Sequence, residues 1–406
     1  MNSLKSKSNY GWVILAASTL TVFFLAGLAT TGFVVYQPYL ISVGGLTNTQ
    51  SSTFITVRTF FNFLTMLFSR KIIERFDVKR VMLSGLILFA IGFFIYGTAT
   101  SYAGYLLGAA IIGFEHGYAG MISVSILISR WFNEHRGLAM GICMSASGLS
   151  AIIGAPVITF VINRFSMRTA LDMEAGLALG AAVLLFFVVH NYPSEIGAEP
   201  IGAEHIAAEK VFFDHKPPKH LFILMMLSTA LFGMPGNSLT NHLSVLYRSV
   251  GIDGSTVAAL LSLMGGALVV GKLVYGEIVD RIKMYRASWL FYGMVIVGTA
   301  LCSFSGADNM LVTIAGTAIL SAGCAIITVS APMYATLIST KEDYDANVIR
   351  LNIAFYIGGL IFGPVPGMIA DVAGDYRPSY VVMTVLVALG AAARQYYYKK
   401  IRHSAA

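Results

Sequence analysis

Of 406 residues, 56% are hydrophobic and only 12% charged, and a mean hydropathy of +0.74 excludes a soluble globular composition. The chain reads as an integral membrane protein, so its net charge of +7 informs topology and gives no reason to invoke nucleic acid. Cys143, Cys302 and Cys324 fall within apolar stretches and read as small core residues, implying neither a disulfide nor a metal framework.

Lys5 and Lys7 precede a long apolar run with no small-residue cleavage site, which predicts an uncleaved first span. Apolar runs separated by polar breaks predict an all-α protein of twelve spans, at 11–40, 49–70, 80–99, 102–129, 136–163, 172–191, 219–247, 255–280, 286–305, 309–339, 345–373 and 377–398. Placing alternate breaks on opposite sides gathers most Lys and Arg on one side, among them Arg70, Lys71, Arg130, Lys216, Arg286, Arg394 and Lys399. Only Arg164, Arg168, Arg248 and Arg377 fall on the other. The positive-inside rule then puts both termini in the cytoplasm.

The longest polar segment, 192–218, carries Pro193, Pro200, Pro217 and Pro218 and separates two halves of six spans, 1–191 and 219–406. Glu74-Arg75-Phe76 after the second span answers Asp280-Arg281-Ile282 after the eighth. Gly154-Ala155-Pro156 in the fifth answers Gly363-Pro364 in the eleventh at nearly the same offset. Two pairs at one offset argue for duplication of a six-helix unit, and such repeats place a substrate site at their interface near the midplane.

Gly265–Arg281 runs apolar and glycine-rich around a single lysine, Lys272, eight residues before Asp280. At helical rise that ammonium lies roughly 12 Å inside the span and must find an anion, a carbonyl or water. The alternative is a lysine that snorkels toward the cytoplasm. Arg58, Glu115, His116 and His242 complete the set of ionisable groups read as intramembrane.

Arg58 falls near mid-membrane in the second span and reads as a second anion ligand, or as the partner of Glu115. Glu115 and His116 point about 100° apart on one helix, so only one is expected to face a cavity. One of them is expected to take up a proton as substrate binds; the alternative is a structural pair of Glu115 with Lys272 or Arg58. Asn237, Thr240, Asn241, His242 and Ser244 make the seventh span unusually polar, either lining a water path or bonding helices together. Tyr36, Gln37, Tyr118 and Tyr334 are further candidate cavity-lining groups. Gly154 with Pro156 and Gly363 with Pro364 supply close approach and bending for sliding contacts. Asp280 with Arg281, and Glu74 with Arg75, read as charge pairs at helix ends that close the cytoplasmic side in one state.

Gly276-x-x-x-Asp280-Arg281 resembles the cytoplasmic loop signature of the major facilitator superfamily, and Arg70 to Arg80 resembles a degenerate first copy lacking the glycine. Within that superfamily the chain is similar to the monocarboxylate and oxalate–formate porters. The carriers are Asn9-Tyr10-Gly11-Trp12, Trp131-Phe132-x-x-x-Arg136-Gly137-Leu138-Ala139-x-Gly141 followed by Ser145-Ala146-Ser147-Gly148, and Pro193-x-Glu195-x-Gly197-x-x-Pro200. The resemblance implies two six-helix bundles and a basic residue at the position of Lys272 that binds the substrate carboxylate. Arginine is usual there, and lysine keeps the charge but loses the bidentate fork. The aspartate that monocarboxylate members place one turn earlier is Leu268 here, so their proton switch does not carry over. The eleventh span offers Asn352 and Tyr356, with Arg350 only near its cytoplasmic end, against a tightly held dicarboxylate.

The expectation is a plasma-membrane secondary transporter of a small organic anion, a monocarboxylate, working as a monomer by alternating access with proton symport or anion exchange. No G-x-x-x-x-G-K-[ST] loop is present, so ATP is not expected to drive it, and no cofactor or enzymatic activity is expected. Efflux of amphipathic compounds is the competing transport function, favoured by the aromatics and 18 methionines. A solute sensor without transport is the competing class, and an extended cytoplasmic domain would mark it.

Overall fold

The computed structural model describes residues 9–133, 136–202, 217–236, 238–329, 334–335, 337–340 and 343–404 and, within them, all side chains except those of 136, 137, 276, 280, 283, 328, 329, 344, 345 and 401–404. Asn237, the side chains of Gly276 and Asp280, and 203–216 of the expected 192–218 linker therefore lie outside the described residues. Among those described, the fold is helical, and the one isolated strand-like bridge pairs Phe132 with Ile201. Nine helical stretches among them are long and apolar enough to cross a bilayer. The expected spans 49–70, 286–305 and 377–398 are helical over all or most of their length but are not among the nine.

The chain forms two units. The first comprises 1–36 and 57–207, the second 37–56 and 208–406. Residues 37–56, the end of α1 (Tyr10–Ser42) and the start of α2 (Asn48–Phe76), thus group with the second unit.

The first unit continues through α3 (Val78–Thr98), α4 (Tyr102–Ala119), α5 (Met121–Trp131), α6 (Arg136–Arg164) and α7 (Met167–Val188). Ser101 and Ser166 cap α4 and α7, each accepting a hydrogen bond from the backbone N–H three residues on. Gly120 divides the expected fourth span into α4 and α5. Within α1, Phe23–Leu28 winds as a π-helix, an arrangement that recurs at functional sites.

The three motifs that carry the family resemblance meet at one end of this unit. Tyr10 packs its ring 5.7 Å from that of Trp131, and Trp12 lies 5.5 Å from Phe132. Tyr10 donates to the Val188 carbonyl, Trp131 Nε1 donates to the His190 carbonyl, and Ile201 N–H donates to the Trp131 carbonyl. Gly11 admits the Ile201 side chain against the helix. Gly197, at φ +64°, ends the short turn begun by Pro193.

The second unit holds α8 (Lys219–Gly236), α9 (Ser238–Asn241), α10 (Leu243–Ser249), α11 (Gly254–Cys302), α12 (Met310–Gly323), α13 (Ala325–Val329), α14 (Tyr344–Phe362), α15 (Val365–Ala373) and α16 (Arg377–Ser404). Asp253 caps α11 by accepting from the N–H groups of Ser255 and Thr256. Where the sequence predicts a loop between the eighth and ninth spans, the backbone of α11 stays helical for 49 residues. No glycine or proline between Gly276 and Gly293 interrupts it. The helix nevertheless doubles back, because the rings of Tyr275 and Phe291 lie 4.8 Å apart, whereas sixteen residues of straight helix would separate them by about 24 Å. Gly363-Pro364 separates α14 from α15.

Candidate functional site

In the first unit, α2 and α4 cross at Gly113 and Gly117. A side chain at either glycine would run into α2 backbone, at Arg58 and at Asn62 and Met66 respectively. This close approach, available to small residues alone, brings the backbone of Arg58 against α4 at Gly113, two residues before Glu115. Glu115 is fully buried and neither carboxylate oxygen has a hydrogen-bond partner among the described residues. The cation acting on it is Arg58. Arg58 Nη1 donates to the Ala29 carbonyl at 2.5 Å, and the guanidinium lies 5.4 Å from the Phe33 ring centroid.

His116, the next residue, points elsewhere, as the 100° step requires. Its Nδ1 lies 2.5 Å from the Leu25 carbonyl; a carbonyl only accepts, so Nδ1 carries the hydrogen. Arg58 and His116 thus hold two carbonyls of α1, one inside the π-helical stretch and one just after it. Tyr118 hydrogen-bonds Ser84 Oγ at 3.0 Å, which fastens α4 to α3. Tyr36 donates to Glu174 Oε2 at 2.6 Å, both residues being buried.

In the second unit Lys272 is half-buried on α11, between buried Gly271 and Tyr275 on one side and exposed Leu273 and Val274 on the other. His242 is fully buried at the break between α9 and α10. Its Nδ1 donates to the Ser238 carbonyl at 3.2 Å and its Nε2 lies 3.1 Å from Ser52 Oγ, so a neutral ring accepts the serine hydrogen there. Asn241 is buried beside it in sequence.

Tyr334 belongs to a polar cluster around Arg394 of α16. Arg394 Nη1 donates to Tyr292 Oη at 2.9 Å, Nη2 to Thr229 Oγ1 at 2.6 Å and Nε to Ser228 Oγ at 3.3 Å. Its guanidinium lies 4.1 Å from the Tyr334 ring centroid, and the hydroxyls of Tyr292 and Tyr334 are 2.6 Å apart.

The charges expected to pair at helix ends make local bonds. Glu74 accepts from Arg70 Nε at 2.8 Å, Arg75 lies over the Phe76 ring, and Arg281 pairs with Glu277 one turn away. Gly154 admits the Leu28 side chain against α6, whose Pro156 is exposed. Gly363, just before Pro364, admits Thr56. Further along, Asp371 of α15 accepts from the backbone N–H and Nδ2 of Asn48 and the backbone N–H of Thr49, each at 2.9 Å, and from Thr49 Oγ1. These are the first, otherwise unpaired donors of α2, and a carboxylate complements that helix end.

Three groups stand out that sequence reasoning passed over. Arg394, counted there among flanking cations, is buried within the second unit. Glu174 makes a second fully enclosed acid beside Glu115; its place in the apolar run 172–191 was the available signal. Asp371 is the third, and nothing in its neighbourhood marks a bond to residues more than 320 positions earlier.

A family model described as Major Facilitator Superfamily matches residues 19–340 and 221–405. Among curated proteins, "Monocarboxylate transporter 13" of Bos taurus is 25% identical over 320 residues, covering 78% of this chain and 73% of its own. "Monocarboxylate transporter 12" of Mus musculus is 24% identical over 345 residues, covering 70% of each. Among solved structures, a bacterial homolog to the human lysosomal transporter Spinster superposes with a TM-score of 0.74 at 15% identity, over 97% of this chain and 98% of that one. The nucleoside transporter NupG gives 0.70 at 14% identity, over 96% of this chain and 99% of that one. The chain belongs to the major facilitator superfamily and is a membrane transporter of a small molecule, not an enzyme.

Proposed function

We propose that this transporter moves a small organic anion, a monocarboxylate, by alternating access, with proton symport or anion exchange as the driving process. The observation that carries the reading is positive charge set into apolar helices of both units, Lys272 and Arg394 in the second and Arg58 in the first. Charge in such a place is costly unless it serves an anion or a fixed partner. The likeness to proteins named monocarboxylate transporters supports the sign and size of the substrate.

In this proposal Lys272 anchors the carboxylate as a point charge, since an ammonium fixes no single plane. Arg58 is a second anion ligand, and reaching it requires exchange of its bond to the Ala29 carbonyl for one to substrate. His242, Tyr36, Tyr118 and Tyr334 act through the hydrogen bonds described above, which orient the helices, and buried Asn241 supplies a further polar group to the substrate. The first unit holds the coupled proton. The protein works as a monomer in the plasma membrane with both termini cytoplasmic.

The test is uptake of labelled lactate, pyruvate, formate and oxalate into proteoliposomes, with and without an inward proton gradient, comparing the parent with Lys272→Ala. Gradient-driven uptake of a monocarboxylate that disappears in the variant is the expected result. A second reading, efflux of amphipathic compounds, is favoured by a largely apolar groove of about 420 Å³ between α1 and α6, lined by Trp12, Leu20, Phe23, Ile142 and Leu149. Failure to take up any of the four anions, or indifference to Lys272, would favour it.

A further inference from the structure

The first unit contains two buried carboxyls in different electrostatic settings. Glu115 has Arg58 as the cation acting on it, on the helix that crosses α4 at Gly113. Glu174, on α7, is equally enclosed, yet no cation among the described residues acts on it. The ionisable groups on the elements packed against α7 are Tyr10, Tyr36 and Tyr39 on α1, Lys79, Arg80 and Tyr96 on α3, and Arg136, Cys143 and Arg164 on α6. On α7 itself Arg168 and Asp172 approach each other at 3.7 Å. Among the described side chains, Tyr36 is the one that hydrogen-bonds Glu174, donating to Oε2 at 2.6 Å. Oε1 has no hydrogen-bond partner among the described residues and faces Gly32 of α1, where an added Cβ would lie 3.0 Å away.

A carboxylate removed from water without a compensating cation is costly, and the usual resolution is that the group takes a proton. We propose that Glu174, held by Tyr36, is the proton-binding site of this transporter and carries the proton that couples to substrate movement. This rests on the proton-coupled form of the function proposed above.

Oε2 accepts from the tyrosine, so the proton resides on Oε1, the oxygen against Gly32. On release the Oε1–H bond breaks, its electron pair stays on the carboxylate and the proton passes to water. Reloading reverses the step, with no other reactant. Water reaches Oε1 only if α1 and α7 separate at Gly32 and Tyr36, so proton exchange is tied to movement of α1. Glu115, in contrast, has a cation acting on it, Arg58 of the helix that crosses α4 at Gly113.

The test uses the full-length protein in proteoliposomes, as parent, Glu174→Gln, Glu115→Gln and Tyr36→Phe. Infrared difference spectra between acidic and alkaline samples report a protonated carboxyl through its carbonyl stretch. A titrating band is expected in the parent and in Glu115→Gln, and its loss in Glu174→Gln. Tyr36→Phe, which removes one hydroxyl and keeps the ring, is expected to retain the band and move the pH at which it titrates.

In parallel, uptake of labelled lactate, or whichever of the four anions the parent takes up, is measured with and without a proton gradient. Glu174→Gln is expected to lose stimulation by the gradient while keeping exchange of labelled for unlabelled anion, which also shows that the variant is folded. Survival of the band in Glu174→Gln, or gradient stimulation equal to the parent's, overturns the assignment to Glu174 alone. A parent whose uptake ignores the gradient defeats the proton-coupled reading as a whole.

Discussion

The two units bury charge in opposite ways. The first encloses acids with a base: Glu115 beside Arg58, and Glu174 bonded to Tyr36. The second encloses Arg394 among neutral hydroxyls from Ser228, Thr229 and Tyr292, with an aromatic face from Tyr334. An arginine surrounded by dipoles leaves the local charge positive, whereas an arginine next to a carboxylate cancels it. The first unit thus buries carboxyls, whereas the second buries a guanidinium among neutral groups.

Removing each arginine sharpens the contrast. Arg58→Leu strands the Glu115 charge in an apolar interior and is expected to cost about 3 kcal/mol or more. The double variant Arg58→Leu/Glu115→Leu should recover much of that loss. Thermal unfolding of the purified proteins reads both, and equal losses in the single and double variants would show that the two residues do not act as a pair. Arg394→Leu strands only hydroxyls, which can pair with one another as Tyr292 and Tyr334 already do, so about 2 kcal/mol is expected. A larger loss than for Arg58→Leu would invert the comparison.

The smallest effect belongs to an exposed pair on the second unit. Hydrogen bonds from Arg377 hold the Asp375 carboxyl below its usual range. Its contribution is therefore present above the unfolded value of about 3.9 and lost as pH falls through the folded one. Asp375→Asn should lower the thermal midpoint slightly at neutral pH, an effect reduced by solvent screening, and the gap to the parent should close in acid. A gap that persists unchanged in acid would assign the effect to something other than this charge.

Helical spans were legible because a lipid-facing segment satisfies its backbone internally and is read from apolar length alone. The same uniformity hides how the helix is wound. Nothing in Phe23–Leu28 announces a π-helix, and only the contact between Tyr275 and Phe291 reveals where α11 turns back. The site was half legible for a related reason. Arg58 and Glu115 stand out as charges deep in apolar runs, but their pairing depends on the glycine-mediated crossing of α2 and α4. Glu174 lies in the second turn of its helix, where an acid resembles a boundary marker. Arg394 precedes Lys399 and Lys400 and resembles part of their cluster, because its partners lie far off in sequence, on α8 and α11 and at Tyr334. The family motifs were recognised one by one, and only the fold shows that they form a single joint.

The bond between Asp371 and the start of α2 also constrains how the molecule is made. Asn48 and Thr49 leave the ribosome more than 320 residues before their acceptor exists, although domains in general mature from the N-terminus onward. The first helical pair must therefore wait in the membrane, its leading N–H groups met by water or lipid headgroups, until α15 has been synthesised. Truncations just before residue 371 should be recognised as unfinished, because they lack the acceptor for the first N–H groups of α2.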